Sequence, residues 1–195
     1  MEAQLAELPM TESPAADPAV DGLARARAGD AEGFRVLLRL HQARIFSIAL
    51  RFTGRRAEAE ELAQDVFLQL HGALAQIESA AHLTHWLLRT VTHRCIDRQR
   101  REKRRPHLVP IESAHDLADA SAGEAGDPLA RARLRRMLLE LSPDARAVML
   151  LRYQEDLDQT DIAATLGMSV NTVKSHLRRS LETLRAQYLG EEHGY

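Results

Sequence analysis

Apolar residues recur at spacings of three and four along most of this chain, which is the periodicity of α-helices with one buried face. The pattern starts near Leu23 and predicts a first long helix that ends at Thr53-Gly54. It predicts a second helix over about 57–74 and a third over about 83–101. Because no stretch alternates apolar and polar residues as a half-buried strand would, we expect an all-α fold.

Capping residues, prolines at first helical positions and a turn glycine predict about four short helices in the C-terminal part of the chain. These residues are Asp127-Pro128, Ser142-Pro143, Asp158, Gly167 and Ser169. The preceding segment, 103–128, is rich in Pro, Gly, small residues and acids, which is typical of a linker. We therefore expect two small helical domains joined by a flexible acidic linker.

The formal net charge of −2 hides a strong segregation of charge along the chain. Residues 24–105 carry 16 basic and 9 acidic side chains, and residues 129–189 carry 10 basic and 7 acidic ones. Residues 1–23 and 106–128 each carry five acids and no Lys or Arg. Two basic blocks separated by an acidic connector indicate two modules able to bind a polyanion such as nucleic acid.

These patterns divide the chain into a tail, two domains and a linker. The tail lacks periodicity, is rich in Ala, Pro, Glu and Asp, and is expected to be disordered. In chain order the four parts are residues 1–22, 23–102, 103–128 and 129–189.

The composition disfavours several kinds of protein and site. No apolar run approaches the length of a membrane span and no signal peptide is evident, so we expect a cytoplasmic protein without membrane insertion. The single cysteine, Cys95, lies in an apolar stripe and is expected to be buried and inert, and Trp86 is expected to anchor the core. His82 and His85 lack a third ligand nearby. We predict no catalytic residue, cofactor or metal.

Residues 158–185 have the pattern of a helix-turn-helix. Its second helix separates an apolar stripe, expected to pack inward, from an outward face of hydrogen-bonding and cationic side chains. That outward face consists of Asn171, Thr172, Lys174, Ser175, Arg178 and Arg179. Such a face fits the major groove of DNA, where Arg and Lys reach guanine and Asn, Ser and Thr reach bases or phosphates. The alternative is a solvated face of an ordinary helical bundle.

Two surfaces of the first domain are also candidates for binding, one for a partner and one for nucleic acid. On the second helix, Glu61, Gln64, Asp65 and Leu68 share one outward face, which is either a partner surface or an ordinary face with one exposed leucine. The third helix ends in a basic run, 98–105, with six positive charges and one negative. This run can track a nucleic-acid backbone, or it is simply a basic helix end that leads into the linker.

Four stretches taken together resemble the extracytoplasmic-function (ECF) group of the sigma-70 family of bacterial RNA polymerase sigma factors. They read AEAEELAQDVFLQL (57–70), WLLRTVTHRCIDRQRR (86–101), LSPDARAVMLLRYQEDLDQTDIAATLGMS (141–169) and VNTVKSHLRRSLETLR (170–185). The resemblance covers about 24–188, and the order and spacing of the stretches make it specific.

The resemblance implies a role for each domain. The first, sigma region 2, would dock on core RNA polymerase through Glu61, Gln64, Asp65 and Leu68. It would also recognise the promoter −10 element, capturing an unpaired base in the loop at about 75–85. The −10 residues implied are Arg89, His93, Arg94, Asp97, Arg98 and Arg101. Many members have Asn where this chain has His93, so its −10 preference is expected to differ.

The resemblance also assigns the second domain and a regulator. This domain, sigma region 4, would read the −35 element of promoter DNA as duplex through the six outward residues of the recognition helix. An anti-sigma factor is the expected regulatory partner.

Two other functions remain open from the residues alone. A conventional helix-turn-helix regulator, binding duplex DNA as a dimer, explains 158–185 but leaves the basic third helix and the Glu61–Leu68 face unexplained. An enzyme is disfavoured, since the sequence contains no phosphate-cradling glycine loop, no clustered metal ligands and no nucleophile with a plausible base.

Overall fold

The computed structural model describes residues 17–104 and 127–192, which form eight α-helices and no strand. In chain order the helices are α1 (Pro18–Arg27), α2 (Ala31–Thr53), α3 (Arg56–Ala73), α4 (Ala80–Arg104), α5 (Pro128–Glu140), α6 (Pro143–Tyr153), α7 (Gln159–Leu166) and α8 (Val170–Glu192). A short 3-10 turn, Leu74–Gln76, follows α3. The predicted all-α class is confirmed.

The chain becomes helical earlier than the periodicity predicted. Asp17 caps α1 by accepting a hydrogen bond from the Ala19 amide at 2.9 Å, and Leu23 and Ala26 are buried where α1 packs on α2. The prediction of a disordered tail is therefore wrong for residues 17–22, because Asp17-Pro18 is a capping signal that starts a helix there. Residues 1–16 lie outside the described residues.

The predicted linker is also shorter at one end. α4 continues to Arg104, two residues past the expected end of the first domain, and α5 begins at Pro128 as its capping signal indicated. The remainder of the predicted linker, 105–126, lies outside the described residues.

Local capping signals are confirmed at the helix ends where they were recognised. Asp127, Ser142 and Asp158 each accept hydrogen bonds from amides of the first helical turn. Gly54 and Gly167 end α2 and α7 with φ of +74° and +66°, a left-handed backbone that glycine adopts without a Cβ penalty. These ends fix where α3 and α8 begin.

The two helical modules, α1–α4 and α5–α8, pack against each other in one continuous apolar core. Helix α6 lies at the centre of this arrangement, and all seven residues 145–151 are buried. Helices α7 and α8 pack on α6 from its own module, while α2 and α4 pack on it from the other. A helix buried on all sides belongs to the interior of both modules at once.

Helices long and apolar enough to cross a membrane do not occur in the described parts of the chain.

Candidate nucleic-acid interface

Helix α8 presents a polar face to solvent and an apolar face to the core, as the sequence predicted. Val173, Leu177 and Leu184 are buried. Five of the six predicted outward residues are exposed, and the sixth, Ser175, is half-buried; the exposed five are Asn171, Thr172, Lys174, Arg178 and Arg179. This face covers little more than two turns of helix and carries three cationic groups. A helix face of this kind fits the major groove of DNA.

Side chains cap the start of α8. The Ser169 hydroxyl accepts a hydrogen bond from the Thr172 amide at 3.1 Å, and the two hydroxyls lie 2.8 Å apart. Arg178 has only a long ion pair, 3.8 Å to Glu182 one turn further on, and its side chain is 70% exposed. The guanidinium is thus available to an approaching base or phosphate.

The predicted −10 residues on α4 divide into two sets. Arg89, Asp97 and Arg101 are exposed and face solvent. His93, Arg94 and Arg98 are only half-exposed, and each contacts another part of the protein. The resemblance implied a common role for all six, whereas the structure leaves three of them open beside three side chains that already have partners.

His93 contacts α7 of the other module. Its Nε2 lies 3.1 Å from the carbonyl oxygen of Thr165. Since a carbonyl only accepts, this nitrogen carries the proton and donates. His85 lies about two turns earlier on α4, and its Nε2 is 3.1 Å from the Thr165 hydroxyl. One fully buried threonine thus binds two histidines of the other module.

Arg98 is paired with acids of α3 and α4. Its Nη1 lies 2.8 Å from Glu61, and its Nε lies 3.6 Å from Glu102 and 4.0 Å from Glu58. Burial lowers the pKa of Arg98, but the hydrogen bond to Glu61 and the three carboxylate charges outweigh that effect and raise it. Glu61, a predicted polymerase-binding residue, and Arg98, a predicted DNA-binding residue, are therefore ion-paired with each other.

Arg94 lies on the same side of α4. It donates to the side-chain oxygen of Gln69 on α3 when that amide is oriented with its oxygen toward the guanidinium. Sequence spacing could reveal the Arg98–Glu102 pair one turn apart, but not the contacts to Glu61 and Gln69, which depend on how α3 packs on α4.

The predicted polymerase-binding residues share the outer face of α3. Leu68 is 65% exposed, Glu61 and Gln64 are exposed, and Asp65 is half-buried. A polar cleft of about 360 Å³ between α3 and α4 brings part of this face beside the −10 set. The cleft is lined by Glu61, Leu62, Asp65, Arg94, Asp97, Arg98, Arg101 and Glu102.

Cys95, Trp86 and His82 have structural roles. Cys95 is buried, as predicted, and burial raises the pKa of its thiol to about 12, which disfavours the reactive thiolate. Trp86 packs against the core, as predicted. His82 accepts from the Glu78 amide at 3.3 Å. Residues 17–104 and 127–192 contain no group of three His, Cys, Asp or Glu side chains arranged to hold a metal.

Fold and surface together define an all-helical, two-module protein with a helix-turn-helix in its second module. Comparison with family models matches residues 37–105 to sigma-70 region 2 and residues 131–184 to sigma-70 region 4. The chain therefore belongs to the sigma-70 family, in its ECF group, and acts as an alternative sigma factor that directs transcription initiation.

Individual relatives agree with this assignment. The chain is 32% identical to the ECF RNA polymerase sigma factor SigM of Mycobacterium tuberculosis over 84% of its own length and 80% of the relative's. It is 26% identical to the ECF RNA polymerase sigma factor SigW of Bacillus subtilis, over 83% of this chain and 91% of that one.

Two solved structures share the fold. CnrH, solved in complex with the cytosolic domain of CnrY, aligns with a TM-score of 0.65 at 23% identity, over 89% of this chain and 99% of CnrH. The sigma factor RpoE of Bartonella quintana, solved with the anti-sigma factor NepR, aligns with a TM-score of 0.66 at 23% identity, over 81% and 98% of the two chains.

Proposed function

We propose that this sigma factor reads the −35 element with the exposed face of α8 and the −10 element with α4, while the outer face of α3 holds core RNA polymerase. The observation that carries the proposal is the recognition helix: a left-handed glycine turn and a serine cap present its polar, cationic face away from the core. That geometry is the one by which a helix-turn-helix enters a major groove.

At the −35 element, Arg178 is the first candidate for reading a base. Its side chain is 70% exposed, and its ion pair with Glu182 is long. Guanidinium groups bind guanine O6 and N7 in bidentate fashion. Further base or phosphate contacts come from its neighbours on the same face, Asn171, Lys174, Ser175 and Arg179. The Thr172 hydroxyl contacts both the Ser169 cap and DNA.

At the −10 element, the exposed residues Arg89, Asp97 and Arg101 make the first contacts. Strand separation there requires no ATP, because captured bases and bound single strand offset the cost of unpairing. His93, Arg94 and Arg98 join this surface when their present partners release them.

The partners follow from the same division of the chain. The first module, α1–α4, corresponds to region 2 and the second, α5–α8, to region 4, with the linker between them. Since CnrH and RpoE were solved with CnrY and the anti-sigma factor NepR, we assign an anti-sigma factor as the regulatory partner of this chain. Its place of action is the cytoplasm, where core polymerase and promoter DNA are found.

Reconstituted run-off transcription tests the proposal. Core polymerase with the purified chain is expected to start at promoters mapped from transcription starts after overexpression, and core polymerase alone is not. Absence of promoter-specific initiation would favour the alternative of a regulator that binds duplex DNA as a dimer, which sedimentation of the chain on DNA would then reveal.

Replacing Arg178 tests how the −35 element is read. Arg178→Ala is expected to lose roughly 1–3 kcal/mol of discrimination at one −35 base pair, measured by run-off from a set of single-base promoter variants. Arg185→Ala removes an exposed cation two turns further along the same helix and serves as the matched control. An equal loss on every sequence would make Arg178 a phosphate contact and contradict the base-reading role.

A further inference from the structure

The polar cleft between α3 and α4 contains predicted −10 residues together with carboxylates that oppose their charge. Three arginines and four acids line the cleft, which gives it a net formal charge of −1. A surface that binds a nucleic-acid backbone needs the opposite sign. The positive charge at the basic end of α4 is therefore offset where that helix packs on α3.

Arg98 is the arginine that these carboxylates approach from two helices. Glu61 of α3 lies 2.8 Å from its Nη1, which is hydrogen-bond distance. Glu102 of α4 and Glu58 of α3 lie farther away, at 3.6 and 4.0 Å from its Nε. The Arg98 side chain is 30% exposed and that of Glu61 is 61% exposed. The guanidinium is thus partly covered, while its nearest carboxylate is open to solvent.

The neighbouring Arg94 provides a comparison within the same cleft. Its partner on α3 is the amide oxygen of Gln69, which carries no charge. An amide orients a guanidinium without cancelling its charge, whereas a carboxylate does both. Helix α3 therefore orients two predicted −10 arginines, and at Arg98 it also reduces the charge that the arginine offers to DNA.

We propose that Glu58, Glu61 and Glu102 form a carboxylate clamp that occupies the place of a DNA phosphate on Arg98 until a promoter strand displaces it. The inference rests on the proposed −10 role of α4. Glu61 is then a positioning residue for −10 binding as well as a member of the proposed polymerase face. Carboxylate and phosphate oxygens accept from the same guanidinium donors, so a strand can replace Glu61 without leaving Arg98 unpaired.

The exposure of the clamp makes this exchange inexpensive. Ion pairs with acids as exposed as Glu61 and Glu102 contribute little, because water screens both charges. Glu58 is also bound by Arg55 at 2.5 Å and so keeps a partner when Arg98 leaves. A phosphate that binds a free arginine releases a counterion as well, which favours the strand. The clamp therefore weakens unspecific binding of single strands and yields where further contacts hold the strand on α4.

Binding of the full chain to a fluorescein-labelled, single-stranded oligo-dT probe tests the clamp, because Arg98 is proposed to contact the backbone. Glu61→Gln keeps the shape of the side chain and removes its charge. We expect it to tighten binding roughly two- to fivefold, the range for a partly exposed ion pair. We also expect the plot of log affinity against log salt concentration to steepen by about 0.7, the value for one more phosphate contact on a single strand.

Glu60→Gln makes the same charge change at the adjacent position and is the matched control. Glu60 is exposed and pairs at 2.9 Å with Arg56, which lies over the Phe46 ring of α2 and away from the cleft lining. This variant is expected to leave the affinity and the salt dependence nearly unchanged. Arg98→Gln, added to Glu61→Gln, is expected to remove both the tighter binding and the steeper slope. Tighter binding caused by weaker general repulsion would instead survive the loss of Arg98.

Two results would overturn the clamp. One is that Glu61→Gln binds the probe no more tightly than Glu60→Gln, and the other is that its tighter binding persists without Arg98. The measurement uses neither polymerase nor a promoter, so either result leaves the proposed promoter function intact through the exposed residues of α4. Failure of run-off transcription would conversely leave standing a measured gain that depends on Arg98.

Discussion

At the scale of single residues, Arg146 has the clearest physical role in the fold. It is fully buried, and burial lowers its pKa to about 10, which still leaves it a cation at neutral pH. Its acceptors are backbone carbonyls and one amide, so the charge is stabilised by dipoles and not by a counter-ion. A planar, five-donor group suits this arrangement because its donors diverge toward several helix ends.

Arg146→Lys is expected to lower the free energy of unfolding by roughly 2–4 kcal/mol, because an ammonium group cannot reach acceptors on three helices at once. Urea unfolding measures the loss. Arg152→Lys is the matched control on the same helix, since Arg152 is exposed and donates to one carbonyl, that of Leu157, at 3.0 Å. If both substitutions lowered the free energy of unfolding equally, Arg146 would stabilise the fold no more than the exposed Arg152 does.

The sequence around Arg146 does not indicate this role. Its acceptor Phe52 lies 94 positions earlier, and the His85 and His93 contacts to Thr165 span 80 and 72 positions. Caps were predictable because donor and acceptor lie within three residues of each other. Contacts between distant segments depend on the packing of modules, which spacing along the chain does not encode.

At the scale of elements, the helices follow from local signals, with α1 as the exception. Its ten residues offer only a short apolar face, so periodicity gave little indication of it. It is held by close packing on α2, where a Cβ added at Gly33 would lie 2.5 Å from the amide nitrogen of Ala26. The absence of a side chain at Gly33 thus allows the two helices to approach backbone to backbone.

Two helical glycines make a matched prediction about this packing. Gly33→Ala is expected to destabilise the fold, since the clash is with backbone that cannot move without separating α1 from α2. At Gly72 of α3 an added Cβ meets nothing within 4 Å, so Gly72→Ala is expected to stabilise by roughly 0.5–1 kcal/mol through helix propensity. Thermal unfolding of both variants checks the opposite signs; the same sign for both would contradict the close approach.

At the scale of the whole molecule, the sequence predicted two modules and their order but not how they pack. The recognition helix was predicted well, since its amphipathic pattern and glycine turn are local. The surroundings of the six α4 residues predicted to read the −10 element were predicted less completely, because three of the six contact α3 or α7. A basic stripe on one helix does not reveal which neighbouring element neutralises it.

The outer face of α3 is proposed to bind core polymerase, and Asp65 is the position at which to test this proposal. Asp65→Arg is expected to weaken binding to core polymerase about tenfold, or roughly 1.4 kcal/mol, with the thermal unfolding midpoint unchanged. Glu78→Arg makes the same charge change at an exposed loop position of the same module. Direct titration of core polymerase with each variant provides the comparison, and unchanged affinity for Asp65→Arg would remove this face from the interface.

The complete burial of residues 145–151 on α6 has a consequence for the lifetime of the protein in the cell. Part of that apolar surface is covered by α2 and α4, so any separation of the two modules exposes it to water. Exposed apolar surface is what proteases and chaperones recognise in partly unfolded proteins. The packing of α2 and α4 on α6 therefore also protects the folded chain from degradation, and substitutions that loosen this packing are expected to shorten its lifetime.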